Sequence, residues 1–317
     1  MTDTQNEVFK TPVNKIRLFE HGAPGSQNLK LTRKYYTEDM PDGRVKHIVQ
    51  NITDPDIVPY IPDGIGNSTD RQRIPAVLII PGGAFRRLVY NFEGEDVAKW
   101  LNSMGIAAFV LECRLPSDEH DNAEDVPLID AMRAMRVIRG RAQEFGIDEA
   151  KIGVMGFSAG GFMAALLSTA YESDVYADYK YKDEYDKLSA RPDFAVCSYP
   201  VISIDDCIEA GKRYMSEEQV LERISDGKAK ILHKYNPDKL VRPDMPPVFI
   251  CETDDDRTTL SENSVGFYMA ARKAGVSAEL HIFRTGGHGY GCGDDFAQTG
   301  EWKVLFTKRI KSIGILS

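Results

Sequence analysis

The chain has 317 residues, 42% hydrophobic and 27% charged, the make-up of a globular protein with a large buried core. Its net charge is −9 and Lys and Arg are scattered, which argues against a nucleic-acid partner, since that needs concentrated positive charge. No apolar run is long enough to cross a bilayer, and MTDTQNEVFKTPVNK lacks the apolar stretch of a secretory signal; the expectations are no membrane partner and a cytoplasmic location.

Residues 1–44 read as a polar N-terminal arm, irregular to about residue 40, that packs on the main body or on a second subunit. VKHIVQNI (45–52) and DIVPYIP (56–62) have the pattern of two early strands, and 62–73 that of a turn-rich loop. A regular alternation follows. AVLII (76–80) is a buried strand, 94–105 a helix, and IAAFVLE (106–112) a strand. The apolar spacing predicts one long amphipathic helix over 126–146. KIGVMG is a strand, and the helix SAGGFMAALLSTAY follows it. DFAVCSYP (193–200), PVFICET (247–253) and AELHIF (278–283) are further strands, with helices over 263–275 and about 296–311. This order predicts an α/β fold in which helices cover both faces of a mostly parallel sheet, as one domain over 45–317. Ligands of such sheets sit beyond the C-terminal strand ends. Two charged stretches interrupt the alternation, 171–192 and 203–243; they are either a cap over that end or surface insertions.

The five cysteines (Cys113, Cys197, Cys207, Cys251 and Cys292) are odd in number and form no CxxC pair, so free thiols are expected. No cysteine has histidine partners at the spacing of a zinc site or thiol nucleophile, and no metal or organic cofactor is implied.

Gly156-Phe157-Ser158-Ala159-Gly160 fits G-x-S-x-G at a strand-to-helix junction. A serine in so sharp a turn is exposed at the top of the sheet, and bulk two residues to either side would collide with neighbouring backbone. A serine hydroxyl needs a base to become a nucleophile. Of the six histidines, His21, His120 and His233 fall in loops or insertions, and His47 and His281 within strands. His288 lies in RTGGHGYGCG just after a strand, where glycines permit close approach, and is the candidate base. A protonated imidazole cannot serve, so activity is expected to fall below about pH 6–7. The base needs a carboxylate, and Asp254, Asp255 and Asp256 follow the strand PVFICET. Serine, then acid, then histidine is the α/β-hydrolase order. An oxyanion hole would use the N–H of Ala159 and that of Gly83 or Ala84 in AVLIIPGGAF.

PGGAFRRLVYNFEGEDVAKWLNSMGIAAFVLECRLP, KIGVMGFSAGG and ENSVGFYMAARKAGVSAELHIFRTGGHGYG together resemble bacterial carbohydrate-type esterases of the α/β-hydrolase superfamily, the acetyl xylan esterases and acetylesterases. The resemblance runs from about 45 to 295. It implies an α/β-hydrolase fold and a serine carboxylesterase that removes small acyl groups, acetyl above all, from a sugar or oligosaccharide. The family pattern D-D-x-x-V-P, counted back from Glu262-Asn263-Ser264, implies Asp256 as the acid; Thr259 and Leu260 replace its Val-Pro, which leaves Asp255 open. Ala84 replaces the third glycine of the oxyanion loop, and Phe162 stands where many relatives carry histidine, at an expected pocket floor. Two other readings compete: a small serine aminopeptidase of the same superfamily, and a binding protein on a hydrolase scaffold, which would typically have lost the serine or histidine. A homo-oligomer is left open.

Overall fold

The structure, a computed structural model, describes residues 9, 13–65, 73–213, 216, 218–219, 229–293 and 298–316. Parts of the 62–73 loop, of the 203–243 insertion and of the stretch before the last helix, and the Cys207 side chain, lie outside the described residues. The strands are β1 (Ile16–Arg17), β2 (Lys34–Asp39), β3 (Val45–Gln50), β4 (Asp56–Tyr60), β5 (Ile74–Ile80), β6 (Leu88–Val89), β7 (Ala107–Glu112), β8 (Ile147–Phe157), β9 (Ala195–Ser198), β10 (Val248–Thr253) and β11 (Ala278–Phe283). The helices are α1 (Asp96–Ser103), α2 (Val126–Gly140), α3 (Ala142–Phe145), α4 (Ala159–Ala170), α5 (Ile204–Lys212), α6 (Ala229–Lys234), α7 (Ser261–Lys273) and α8 (Glu301–Ser312).

The main sheet has the order β1-β4-β7-β5-β8-β9-β10-β11. From β7 to β11 every neighbouring pair is parallel, while β4 and β1 complete one edge antiparallel. Every residue of β7, β9 and β10 is buried, so the continuous apolar runs are covered on both faces. β11, at the opposite edge, is half-exposed along its length. No helix among the described residues is long and apolar enough to cross a membrane. Cys113, Cys197, Cys251 and Cys292 are buried free thiols, as expected of them.

Two local expectations are corrected. The stretch read as irregular to about residue 40 contains β1, which pairs with β4, and β2, which forms a hairpin with β3. KYYTED has no apolar run, because its strand lies half-exposed in a separate three-stranded sheet with β3 and β6. The boundary at residue 44 falls in the turn of that hairpin. The helix expected over 126–146 ends at Gly140, a weak helix former, and a four-residue turn, α3, completes the connection. A side chain at 140 would also collide with Tyr185, whose ring lies 2.3 Å from the position of a Cβ there.

The arm packs on its own chain through partly buried ion pairs. Lys15 Nζ reaches Glu112 at 2.6 Å, and Arg33 Nη1 reaches Asp56 at 2.5 Å and Glu112 at 2.7 Å. Further on, Arg114 donates to Ser26 Oγ at 2.8 Å and to Asp130 on α2 at 2.6 Å, with both charged side chains fully buried. Removing one partner leaves a charge buried alone. Asp130→Ala is therefore expected to lower the unfolding free energy by about 3–5 kcal/mol; a denaturant melt that shifts by under about 1 kcal/mol would contradict this role.

The 171–192 segment packs against α2 and the arm. Arg133 binds Asp183 and Asp186 at 2.5 and 3.1 Å, Arg136 donates to Leu188 O at 3.0 Å, and the Tyr179 hydroxyl donates to Gly22 O at 3.0 Å. Asn263 on α7 accepts the N–H groups of Ile202 and Ser203, at 2.9 and 3.1 Å, where the 203–243 segment begins.

Candidate active site

β8 carries the chain from the sheet centre into Ser158, the turn residue before α4. Ser158 has φ 53° and ψ −119°, a strained conformation for a residue with a side chain. The neighbours explain the sequence. A Cβ on Gly156 would lie 1.9 Å from the carbonyl oxygen of Gly160, and a Cβ on Gly160 would lie 1.9 Å from that of Ile80. The turn is locked by Ser158 N–H donating to Ser198 O at 3.0 Å and by Phe162 N–H donating to Ser158 O at 3.0 Å.

His288 follows β11 in a glycine-rich loop. Its Nε2 lies 2.8 Å from Ser158 Oγ and its Nδ1 lies 2.6 Å from Asp256 Oδ2. Three residues separated by up to 130 positions thus form one hydrogen-bonded row. The Asp256 side chain is fully buried. Its Oδ1 accepts the N–H groups of Thr258 and Thr259 at 2.7 and 3.0 Å, and its Oδ2 also accepts from the Thr259 hydroxyl at 3.0 Å. Burial pushes the Asp256 carboxyl up, but the hydrogen bond and charge of His288 and the two N–H donors outweigh it and hold it below the usual carboxylate range. The neighbouring Glu252 moves the other way: burial and the Asp256 charge push it well above that range.

Each acid of Asp254-Asp255-Asp256 has a different partner. Asp254 pairs with Arg284, Asp255 Oδ1 accepts the N–H of Gly287 at 2.9 Å, and Asp256 alone reaches the imidazole. Four of the other histidines are engaged elsewhere: His281 meets Glu279 at 2.7 Å, His120 meets Ser26 Oγ at 3.0 Å, His47 stacks on Phe9, and the His21 ring lies against Tyr181.

The loop after β5 has an unusual backbone, with Gly83, Ala84 and Phe85 at φ 135°, 56° and 58°. A Cβ on Gly83 would lie 2.1 Å from Arg87 O, so glycine is required there. Ala84, in the third-glycine position, accepts a left-handed conformation that costs a side chain about 1–2 kcal/mol. Among the described residues, no hydrogen bond leaves the N–H groups of Gly83, Ala84 or Ala159. Gly83 and Ala84 line a cavity of about 530 Å³ together with Ser158 and His288. Phe162 does not line it. It is fully buried and packs edge-on against Phe85 beneath the loop, so the expected pocket floor is core instead.

Two parts of the site escaped the sequence reading. The outer wall of the cavity is Met40, Arg44, Lys46 and Gln50 of the β2–β3 hairpin, and none of its described lining residues comes from 171–192 or 203–243. The inner wall includes Glu93, a buried acid whose Oε2 accepts the N–H of Gly82 at 2.8 Å and whose Oε1 accepts the Tyr199 hydroxyl at 2.9 Å. Burial pushes the Glu93 carboxyl up, while the His288 charge, Tyr199 and Gly82 pull it back. Tyr199 sits just past the C-terminal end of β9, where the rule for parallel sheets could have drawn attention to it. Among the described residues, no group of three His, Cys, Asp or Glu could hold a metal ion.

The chain matches the BD-FAE family over residues 65–270. It is 31% identical over 223 residues to an acetylxylan esterase of Xylanibacter ruminicola, covering 70% of this chain and 42% of that protein. It is 31% identical over 227 residues to endo-1,4-beta-xylanase B of Butyrivibrio fibrisolvens, covering 71% of this chain and 34% of that one. The chain thus spans well under half the length of these curated relatives. Its fold superposes on an acetyl ester-xyloside bifunctional hydrolase from Caldicellulosiruptor lactoaceticus with a TM-score of 0.70 at 34% identity, covering 96% of this chain and 97% of that one. With a mainly parallel sheet and an α/β-hydrolase architecture, the chain belongs to the BD-FAE family.

Proposed function

We propose that the protein is a serine carboxylic ester hydrolase that removes small acyl groups, acetyl foremost, from a sugar or oligosaccharide. The observation that carries this reading is the row Ser158–His288–Asp256, at 2.8 and 2.6 Å, opening on a cavity. Asp256 is held ionised, so its Oδ2 accepts and the Nδ1 of His288 carries the proton. That leaves the Nε2 lone pair facing the Ser158 hydroxyl.

Ser158 Oγ attacks the ester carbonyl carbon while its proton passes to Nε2 of His288. The carbonyl oxygen becomes an oxyanion, stabilised by the N–H of Ala159 and that of Gly83 or Ala84. The bond to the alcohol oxygen breaks, and that oxygen takes the proton from His288. Water then attacks the acyl-enzyme, giving its proton to His288; the acid leaves and the proton returns to Ser158.

The sugar-ester substrate is supported by the relatives, an acetylxylan esterase and an acetyl ester-xyloside hydrolase. The cavity wall agrees: Gln50, Lys46 and Arg87 offer hydrogen-bond donors to a polyhydroxylated alcohol. A panel of nitrophenyl esters of rising acyl length, acetylated xylo-oligosaccharides and feruloyl esters tests the proposal, with Ser158→Ala as the blank. Acetyl esters are expected to be the best substrates, with kcat/KM at least about 10-fold lower for long acyl chains. A Ser158-dependent rate that rises with acyl length, or that is absent on acetylated sugars, would contradict it.

A further inference from the structure

We infer that Glu93 and Tyr199 form a positioning pair that holds the oxyanion loop and the histidine loop at a fixed separation. The inference rests on the esterase reading above, because it concerns when that site's donors are aligned.

Two backbone donors fix the directions at the ends of this hydrogen-bonded chain, and an ionised Glu93 fixes the middle one. The N–H of Gly291 donates to the Tyr199 hydroxyl oxygen at 3.0 Å, and a backbone N–H can only donate. The Tyr199 proton is then directed to Glu93 Oε1 at 2.9 Å. From the other side the N–H of Gly82, equally a fixed donor, points at Glu93 Oε2 at 2.8 Å. All three protons therefore run toward Glu93, and only a side chain with two acceptor atoms satisfies both ends. Gly82 is the residue before Gly83 in the oxyanion loop, and Gly291 is three residues past His288. One carboxylate thus ties the loop that would receive the oxyanion to the loop that carries the base.

Tyr199 adds a second contact to the same base. Its ring meets that of His288 edge-on, with centroids 5.0 Å apart, and that of Tyr290 with centroids 4.5 Å apart. Its backbone sits at φ 36°, an outlier for a bulky side chain. Strain of this kind persists where the surroundings over-determine it, and it clusters at functional sites. A buried acid needed only for packing could be replaced by an apolar side chain; this one lines the cavity, and the partners of its two oxygens belong to the site.

The oxyanion forms only after attack, so misplaced donors should show in kcat and in transition-state affinity but not in substrate binding. The test compares wild type, Glu93→Gln, Tyr199→Phe, the double variant and Ser158→Ala on p-nitrophenyl acetate. Each is also titrated with a small alkylboronic acid, which forms a tetrahedral adduct on an active serine. Tyr199→Phe removes one hydroxyl and keeps the ring contact with His288. Glu93→Gln keeps the shape but turns an NH2 toward one of two donors. Each single variant is expected to lose about 10- to 100-fold in kcat, with boronate affinity falling in step and KM within about threefold. The double variant should lose little more than the worse single one, since the two act as a unit. Should Glu93→Gln fail to fold, Tyr199→Phe still decides the matter. Single variants that keep kcat and boronate affinity within about threefold of wild type, or losses confined to KM, would overturn the inference. A wild type without Ser158-dependent turnover would instead overturn the esterase reading on which it rests.

Discussion

Replacing Ser158 by alanine is expected to lower kcat on p-nitrophenyl acetate by about 10⁶-fold, to the level left by the binding groups and oxyanion donors alone. The size follows from the proposed mechanism: without Oγ, His288, whose Nε2 lies 2.8 Å from that oxygen, has no nucleophile to activate. The fold should not change. The elbow is held by the backbone bonds of Ser158 to Ser198 and Phe162, which alanine keeps. The hydroxyl's partner is His288, itself held by Asp256. Circular dichroism and the melting temperature should match wild type while turnover vanishes. A loss of less than about 100-fold in a well-folded variant would place the nucleophile elsewhere.

Asp256→Asn is expected to lower kcat by about 10⁴-fold. The amide has one acceptor and one donor end. Two fixed donors, the N–H groups of Thr258 and Thr259, point at the Oδ1 position and claim the amide oxygen. The NH2 is then turned toward Nδ1 of His288. Nδ1 can only accept from it, so the ring proton moves to Nε2, which faces Ser158 and can no longer take its proton. Geometry survives and the tautomer is wrong. Asp255→Asn is the matched control: its carboxylate holds the N–H of Gly287, and an amide oxygen can accept that bond, so a loss under about 10-fold is expected. Steady-state kinetics on both variants decides. Similar losses, or the larger loss at Asp255, would contradict the assignment of Asp256.

Much of the fold was legible because the central strands carry local signatures. AVLII, AAFVL and VFIC are apolar throughout, and each lies in a strand buried on both faces. The elbow was equally legible, since the collisions at Gly156 and Gly160 are consequences of a turn whose pattern is five residues long. The β2–β3 hairpin was half hidden. KYYTED lies half-exposed, and nothing within it signals that its partner strand walls the cavity. The local pattern alone did not separate the three consecutive aspartates, because their partners Arg284, Gly287 and His288 lie about 30 residues away; only the family resemblance pointed to Asp256, with Asp255 left open. Glu93 and Tyr199 were missed for the same reason: 106 residues separate them, and their bond exists only after the sheet has formed.

The proposed proton relay of Ser158, His288 and Asp256 can be probed by one covalent experiment. Folded wild-type protein is treated with a fluorophosphonate, and the modified peptide is mapped by tandem mass spectrometry. One adduct per chain on Ser158 is expected, within the peptide that begins after Lys151 and also holds Ser168, Thr169 and Ser173. The labelling rate should fall sharply in Asp256→Asn, which keeps the hydroxyl and the imidazole but leaves the ring proton on Nε2, so that His288 cannot act as the base. An adduct on any other residue, no adduct on the folded wild type, or equal labelling of Asp256→Asn would contradict the relay.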